Sequence, residues 1–234
     1  SVQPIEEIGA LIRENAPGAL FHVDAIQALG KYKIHPARMG IDLLSASGHK
    51  IHGPKGVGFL YIREQVKIQP QILGGGQQNG MRSGTDNVPG IAGLGAAVEE
   101  VYRDLEKKAD HMYHIKELLT AGLNRLGETE KVVIHGMSLR AGAPHIVNVS
   151  FPGIRSEVLL HALEDRGIYV SAGSACSTHK RQKNTTLAAM GVDQAQRESA
   201  IRFSFCEETT EDEIRYCLQE LERSVPMLKR YARR

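Results

Sequence analysis

The sequence predicts an α/β protein: the later part of a large domain built on a mostly parallel sheet with helices, then a small α+β domain. Short apolar runs at 19–23, 43–47 and 57–62 are bounded by glycine, proline or charged residues, the length and punctuation of buried strands. Other segments repeat apolar residues every three to four positions, the period of amphipathic helices. One such pattern crosses the middle of the chain and divides it. Residues 1–108 form the large-domain part with its linking helix, and 109–234 the small domain.

Residues 5–15 have helical spacing (Ile5, Ile8, Leu11, Ile12), and Pro17-Gly18 stops that helix. The strand over 19–23 follows, with Asp24 at its carboxyl end, where open α/β sheets place ligands. Leu43 to Ser47 is the next strand, and Val57 to Ile62 is rich in β-formers. Gly74 to Gly84 is too glycine-rich for regular structure, and no Gly-Lys-Ser/Thr closes it as a Walker loop. From Val88 a helical pattern runs to Leu123, interrupted by the charged patch Glu106–Asp110.

In the second domain, Val132–Ile134, His145–Phe151, Ile168–Val170 and Ile201–Phe205 read as strands. Ser156 reads as the N-cap of a helix over 157–165, stopped by Gly167. Thr210-x-x-Glu213 is a capping box, in which threonine and glutamate satisfy each other's orphan donors. The helix it opens puts Ile214, Cys217, Leu218, Leu221, Val225 and Leu228 on one face, so Cys217 reads as core.

Composition narrows the function. The content is 41% hydrophobic and 24% charged, ordinary for a soluble globular protein. The net charge is +2 and no basic run is interleaved with aromatics, so direct nucleic-acid binding is not expected. No apolar stretch approaches the ~20 residues of a membrane span, and the first residues lack a signal peptide's apolar core. Cys176, Cys206 and Cys217 are odd in number and widely spaced, which argues against a disulfide framework and for free thiols in the cytoplasm.

Two stretches carry chemistry. In Ser47-Gly48-His49-Lys50-Ile51-His52-Gly53-Pro54-Lys55-Gly56, Lys50 directly follows a strand-like run, where desolvation favours the neutral amine that a Schiff base requires. In His22-Val23-Asp24-Ala25-Ile26-Gln27, a strand ends in an acid, followed three residues later by an amide. A lysine, a carboxylate for a pyridine nitrogen and a donor for a ring oxygen are the parts a pyridoxal 5'-phosphate (PLP) site needs. Cys176 sits in the small-residue turn Ala172-Gly173-Ser174-Ala175-Cys176, followed by His179, Lys180 and Arg181, and nearby cations stabilise a thiolate. His49-x-x-His52 and Cys176-x-x-His179 have zinc-type spacings. Lys50 and Lys55 put cations among those ligands and neither pair has a second cysteine, so no metal is expected.

At these residues the chain resembles the cysteine desulfurases, a PLP-dependent family of fold type I in the class-V aminotransferase superfamily. Five stretches carry the resemblance in the family's order: 22–27, 47–56, Gly74-Gly75-Gly76-Gln77 with Met81-Arg82-Ser83-Gly84-Thr85, Ser171 to Cys176, and Ile201-Arg202-Phe203-Ser204. The resemblance implies that Lys50 carries PLP, Asp24 keeps the pyridine nitrogen protonated and Gln27 reaches the ring oxygen. It further implies that His49 lies beside the ring, that Ser47 bonds the phosphate, and that Thr85 reaches the phosphate of the other subunit in a homodimer. Arg202 matches the family's carboxylate-binding arginine, and Cys176 the cysteine that takes sulfur from L-cysteine.

The implied reaction gives L-alanine and a persulfide on Cys176, for delivery to an iron–sulfur scaffold, a tRNA-thiolation enzyme or another carrier. Family members are longer, so the chain reads as the C-terminal part of such an enzyme; the N-terminal part then belongs either to the same polypeptide or to a separate chain. Other readings stay open: a selenocysteine lyase or another PLP lyase or aminotransferase of the same fold, or a catalytically incomplete sulfur-relay module.

Overall fold

The computed structural model of the chain describes residues 2–172 and 185–232. Two compact units divide between Lys107 and Lys108.

The first unit is built on helix α1 (Ile5–Asn15) and strands β1 (His22–Asp24), β2 (Leu43–Ser47) and β3 (Gly58–Ile62), followed by helix α2 (Val88–Tyr102). β1 pairs with β2 in parallel, with Asp24 opposite Ser45, and β2 pairs with β3 antiparallel. The sheet is therefore mixed, because the turn at 52–57 is too short for a parallel crossover. Phe21, Ala25, Ile41, Leu44, Ala46, Ile51, Leu94 and Val101 form its core, with Ile5, Ile8 and Ile12 packed against it. α1 lies close to the loop before β2. A side chain at Gly9 would meet the Met39 carbonyl oxygen, and Arg13 donates to the Gly40 carbonyl at 2.6 Å.

Helix α3 (Leu105–Thr129) begins after a break at Arg103–Asp104, where Asp104 takes the left-handed conformation at φ 56°. The break thus falls before the charged patch 106–110, which lies inside α3 as ordinary helix. The sequence pattern placed the interruption at the patch itself. Charged residues of this kind are compatible with a solvated helix face, whereas a left-handed backbone is not compatible with a helix.

The second unit has strands β4 (Val133–His135), β5 (Ile146–Ser150) and β6 (Ala200–Ser204), in the order β4-β5-β6 and antiparallel throughout. Helices α4 (Ser156–Glu164), α5 (Thr185–Ala189), α6 (Gln194–Glu198) and α7 (Glu211–Ala232) complete it. Val147, Val149, Ile201 and Phe203 turn to one face and join a core with Ile115, Leu119 and Leu123 of α3, Leu159 and Leu163 of α4, and Leu221 of α7.

Residues 168–170 do not form a strand; only Ser171 makes a bridge, to Arg202. Arg155 rather than Ser156 caps α4, with Ser156 as its first helical residue. The capping box of α7 forms as read: the Thr210 amide donates to Glu213 Oε2 at 2.8 Å, and the Glu213 amide to Thr210 Oγ1 at 3.2 Å. Cys217 is buried within the core. Among the described residues, no helix is long and apolar enough to cross a membrane.

Candidate active site

The parallel pairing of β1 with β2 sets the first half of the site. Two adjacent parallel strands release their chains at the same edge of the sheet, so Asp24, at the end of β1, and the 3-10 turn Gly48–Ile51, directly after β2, emerge together. The turn holds Lys50 and is tied by backbone bonds at Gly48, whose carbonyl accepts from the His52 amide. The Gly48 amide donates to the Val57 carbonyl at 2.9 Å, and the Gly53 amide to the Gly48 carbonyl at 2.9 Å. His52 closes the turn in the left-handed conformation, φ 62°.

One oxygen of Asp24 accepts from the Ile26 amide at 2.9 Å, which holds the carboxylate in a short turn and leaves Oδ2 without a partner among the described residues. Ser47 Oγ and His49 Nδ1 are 2.8 Å apart and orient each other. On the same face of the sheet, His22 Nε2 lies 2.7 Å from Ser45 Oγ, a pair that sequence reasoning did not single out. Both of its members sit two residues before named site residues, and that period-two spacing was the available signal.

Lys50 is exposed, with no hydrogen bond or ion pair among the described residues. The desolvation expected of it is not supplied by those residues. Gln27 is exposed in the turn after β1, and Thr85 is exposed just before α2. No hydrogen bond links either to Asp24, Ser47, His49 or Lys50 among the described residues. The Gly-rich loop before Thr85 is held from within: Ser83 Oγ donates to the Gly75 carbonyl at 2.7 Å, and the Gly84 amide to Gln77 Oε1 at 3.2 Å.

Arg202 lies in the second unit, in the middle of β6 rather than at its start. Its N–H donates to the Ser171 carbonyl at 2.8 Å and its carbonyl accepts from the Ser171 amide at 3.1 Å. On the other side it stands opposite Asn148 of β5, which in turn stands opposite His135 of β4. Alternation puts these side chains on the face opposite the core valines, together with Ser150. His135 Nε2 lies 2.6 Å from Ser150 Oγ, which donates to the Gln196 carbonyl at 2.6 Å, and burial pulls the His135 pKa down. Sequence reasoning passed over Asn148. Its signal was a lone amide within an otherwise apolar stretch, Ile146-Val147-Asn148-Val149. Cys176 lies outside the described residues.

The donors of the first unit fit PLP. An acid with one oxygen unengaged suits a pyridinium N–H, an uncommitted primary amine suits an aldehyde, and hydroxyls suit a phosphate. A mixed α/β fold with this donor set at the carboxyl edge of its parallel strands defines a protein of the PLP-dependent aminotransferase class. The chain belongs to the aminotransferase class-V family, whose profile it matches over residues 1–217. It is 42% identical over 231 residues to a "Cysteine desulfurase IscS" of Serratia proteamaculans, an alignment covering 97% of this chain and 55% of that protein. It is 38% identical over 229 residues to a "Cysteine desulfurase" of a Nostoc species, covering 98% and 56% respectively.

Among solved structures, a "NifS-like protein" superposes with a TM-score of 0.87 at 39% identity, covering 97% of this chain and 58% of the other. The apo cysteine desulfurase of Thermococcus onnurineus superposes with a TM-score of 0.83 at 26% identity, covering 96% and 56%. The chain thus spans about half the length of the relatives it matches.

Proposed function

We propose that this chain supplies the cofactor lysine, the ring acid and the sulfur-accepting cysteine of a PLP-dependent cysteine desulfurase working in the cytoplasm. The observation that carries the reading is that Asp24 and the turn holding Lys50 leave the sheet at one edge, in a chain about 40% identical to cysteine desulfurases over nearly its whole length.

PLP, when bound, draws electrons from the substrate's α-carbon into its ring. Lys50 Nζ would hold the cofactor, and its amine would take the substrate's α-proton and return it. Asp24 accepts the ring N–H and keeps it charged. Ser47 and, from a second copy of the protein, Thr85 would donate to the phosphate; Gln27 would donate to the ring oxygen, and His49 would stand beside the ring. Arg202 holds the carboxylate of L-cysteine through two parallel N–H donors. The Cys176 thiolate attacks the substrate's sulfur. An S–S bond forms as the substrate's carbon–sulfur bond breaks; a proton taken up at that carbon and the return of the α-proton yield L-alanine. The persulfide on Cys176 then passes to an acceptor protein.

The test is a Cys176→Ser variant of the PLP-loaded protein. It should bind L-cysteine and yet release no alanine, and mass spectrometry of the wild type after cysteine treatment should find added sulfur on Cys176 alone. A persulfide on Cys206, or undiminished alanine and sulfide from the variant, would favour a PLP lyase instead.

A further inference from the structure

We propose that Asn148 is the positioning residue for Arg202, its side-chain oxygen holding the guanidinium by the Nε–H. The two residues are register partners across β5 and β6. Both backbone bonds of Arg202 go to Ser171, on its other side. Toward β5 it therefore forms a non-hydrogen-bonded pair, the arrangement that brings facing side chains closest, with about 4.5 Å between Cα atoms.

Asn148 Oδ1 and Arg202 Nε are both buried, and neither has a hydrogen-bond partner among the described residues. One is an acceptor and the other a donor. Buried polar atoms without partners are rare in folded proteins, and two complementary ones on facing residues satisfy each other with a small side-chain rotation.

The bond has a directional consequence. A guanidinium held at Nε keeps its two terminal nitrogens free, side by side, as a fork for a carboxylate. A guanidinium not held there samples several rotamers and presents the fork only part of the time. The inference rests on the reading of Arg202 as the carboxylate anchor, and adds that the anchor's aim is set by the amide opposite it.

The experiment uses the PLP-loaded protein and two ligands that differ by one group: L-alanine, and ethylamine, which is alanine without its carboxylate. Binding is followed by the cofactor's absorbance. Asn148→Ala should weaken L-alanine about tenfold, the scale of a hydrogen bond to a charged group, and leave ethylamine unchanged. Unchanged ethylamine binding also reports that the variant is folded. Asn148→Leu, which keeps the volume, should give the same split. In an Arg202→Gln background, Asn148→Ala should change nothing further, because the effect runs through the arginine.

Equal losses for both ligands, or no loss for either, overturn the proposal while Arg202→Gln still loses L-alanine selectively. If Arg202→Gln binds L-alanine as the wild type does, the carboxylate reading itself falls and takes the proposal with it. A readout independent of the cofactor is the Arg202 Nε–H proton in the NMR spectrum of the cofactor-free protein. It should exchange slowly in the wild type and quickly in Asn148→Ala; equal rates would count against the bond.

Discussion

Arg13 Nη2 lies 2.9 Å from Asp42 Oδ1, joining α1 to the residue that begins the run into β2. The Asp42 side chain is fully buried; Arg63 Nη2 approaches the same oxygen at 2.7 Å, and the Phe21 amide donates to Oδ2 at 2.8 Å. Burial pushes the Asp42 carboxyl up, but the Phe21 amide and the two guanidinium groups outweigh it and leave its pKa below the ordinary value. A carboxyl depressed in the folded state stabilises above its unfolded pKa of about 3.9, and that contribution is lost as pH falls through the folded value. Asp42→Asn should therefore be less stable than wild type at pH 6, and the gap should close below about pH 4. Urea titrations of both proteins across that range measure it; a gap independent of pH would count against the assignment. Asp42→Ala, which strands two arginines and an amide, should cost about 3 kcal/mol at neutral pH.

Gly9 is the close-approach point of α1. An alanine there would press on the Met39 carbonyl oxygen, a backbone atom that cannot swing aside. Gly9→Ala usually stabilises a helix interior by about 1 kcal/mol. Here it should destabilise by about 1–3 kcal/mol, the cost of overpacking. Thermal melts of the variant decide the sign.

Burial alone pushes the Cys217 thiol up to about 12, so at neutral pH it is a protonated core side chain. Iodoacetamide should leave Cys217 unlabelled in the native protein and modify it readily in urea. Cys206, half-buried outside that stripe, should label first of the two. Peptide mapping after timed labelling separates them; native labelling of Cys217 at the Cys206 rate would contradict its place in the core.

Lys50 and Lys55 share one loop, but only Lys50 lies on the turn that directly follows β2. Borohydride reduction of the PLP-loaded protein should place the pyridoxyl label on Lys50 and none on Lys55. Asp24→Asn should fold as the wild type does, since Asp24 is exposed, and lose about 10²-fold or more in turnover. Label on Lys55, or near-normal turnover by Asp24→Asn, would remove the respective residue from the site.

Legibility in the sequence followed the scale of the interaction. The strand 43–47 and the helix 5–15 were readable with their observed bounds, because hydrophobic periodicity and Gly/Pro punctuation act locally. The capping box of α7 was readable because both partners sit within four residues. The helix break was not: nothing in Arg103-Asp104 advertises a left-handed backbone, whereas the conspicuous charges a few residues on are compatible with a solvated helix face. Residues 168–170 are β-branched or aromatic, but a strand needs a partner, and only Ser171 finds one. Asp24 and Lys50 stood out by their motifs. Asn148 did not, because its relation to Arg202 spans more than fifty residues and exists only once β5 and β6 are in register.

That register couples the site to the core in a way that constrains how such a chain can change over generations. In β5, Val147 and Val149 flank Asn148, and in β6, Ile201 and Phe203 flank Arg202. One inserted or deleted residue in either strand would send every side chain to the opposite face, putting the amide or the arginine into the apolar core and apolar side chains into the polar row. Substitution can retune the polar row one position at a time, but indels there are close to lethal. Lineages of this protein should therefore vary in length only in the connections that flank these strands.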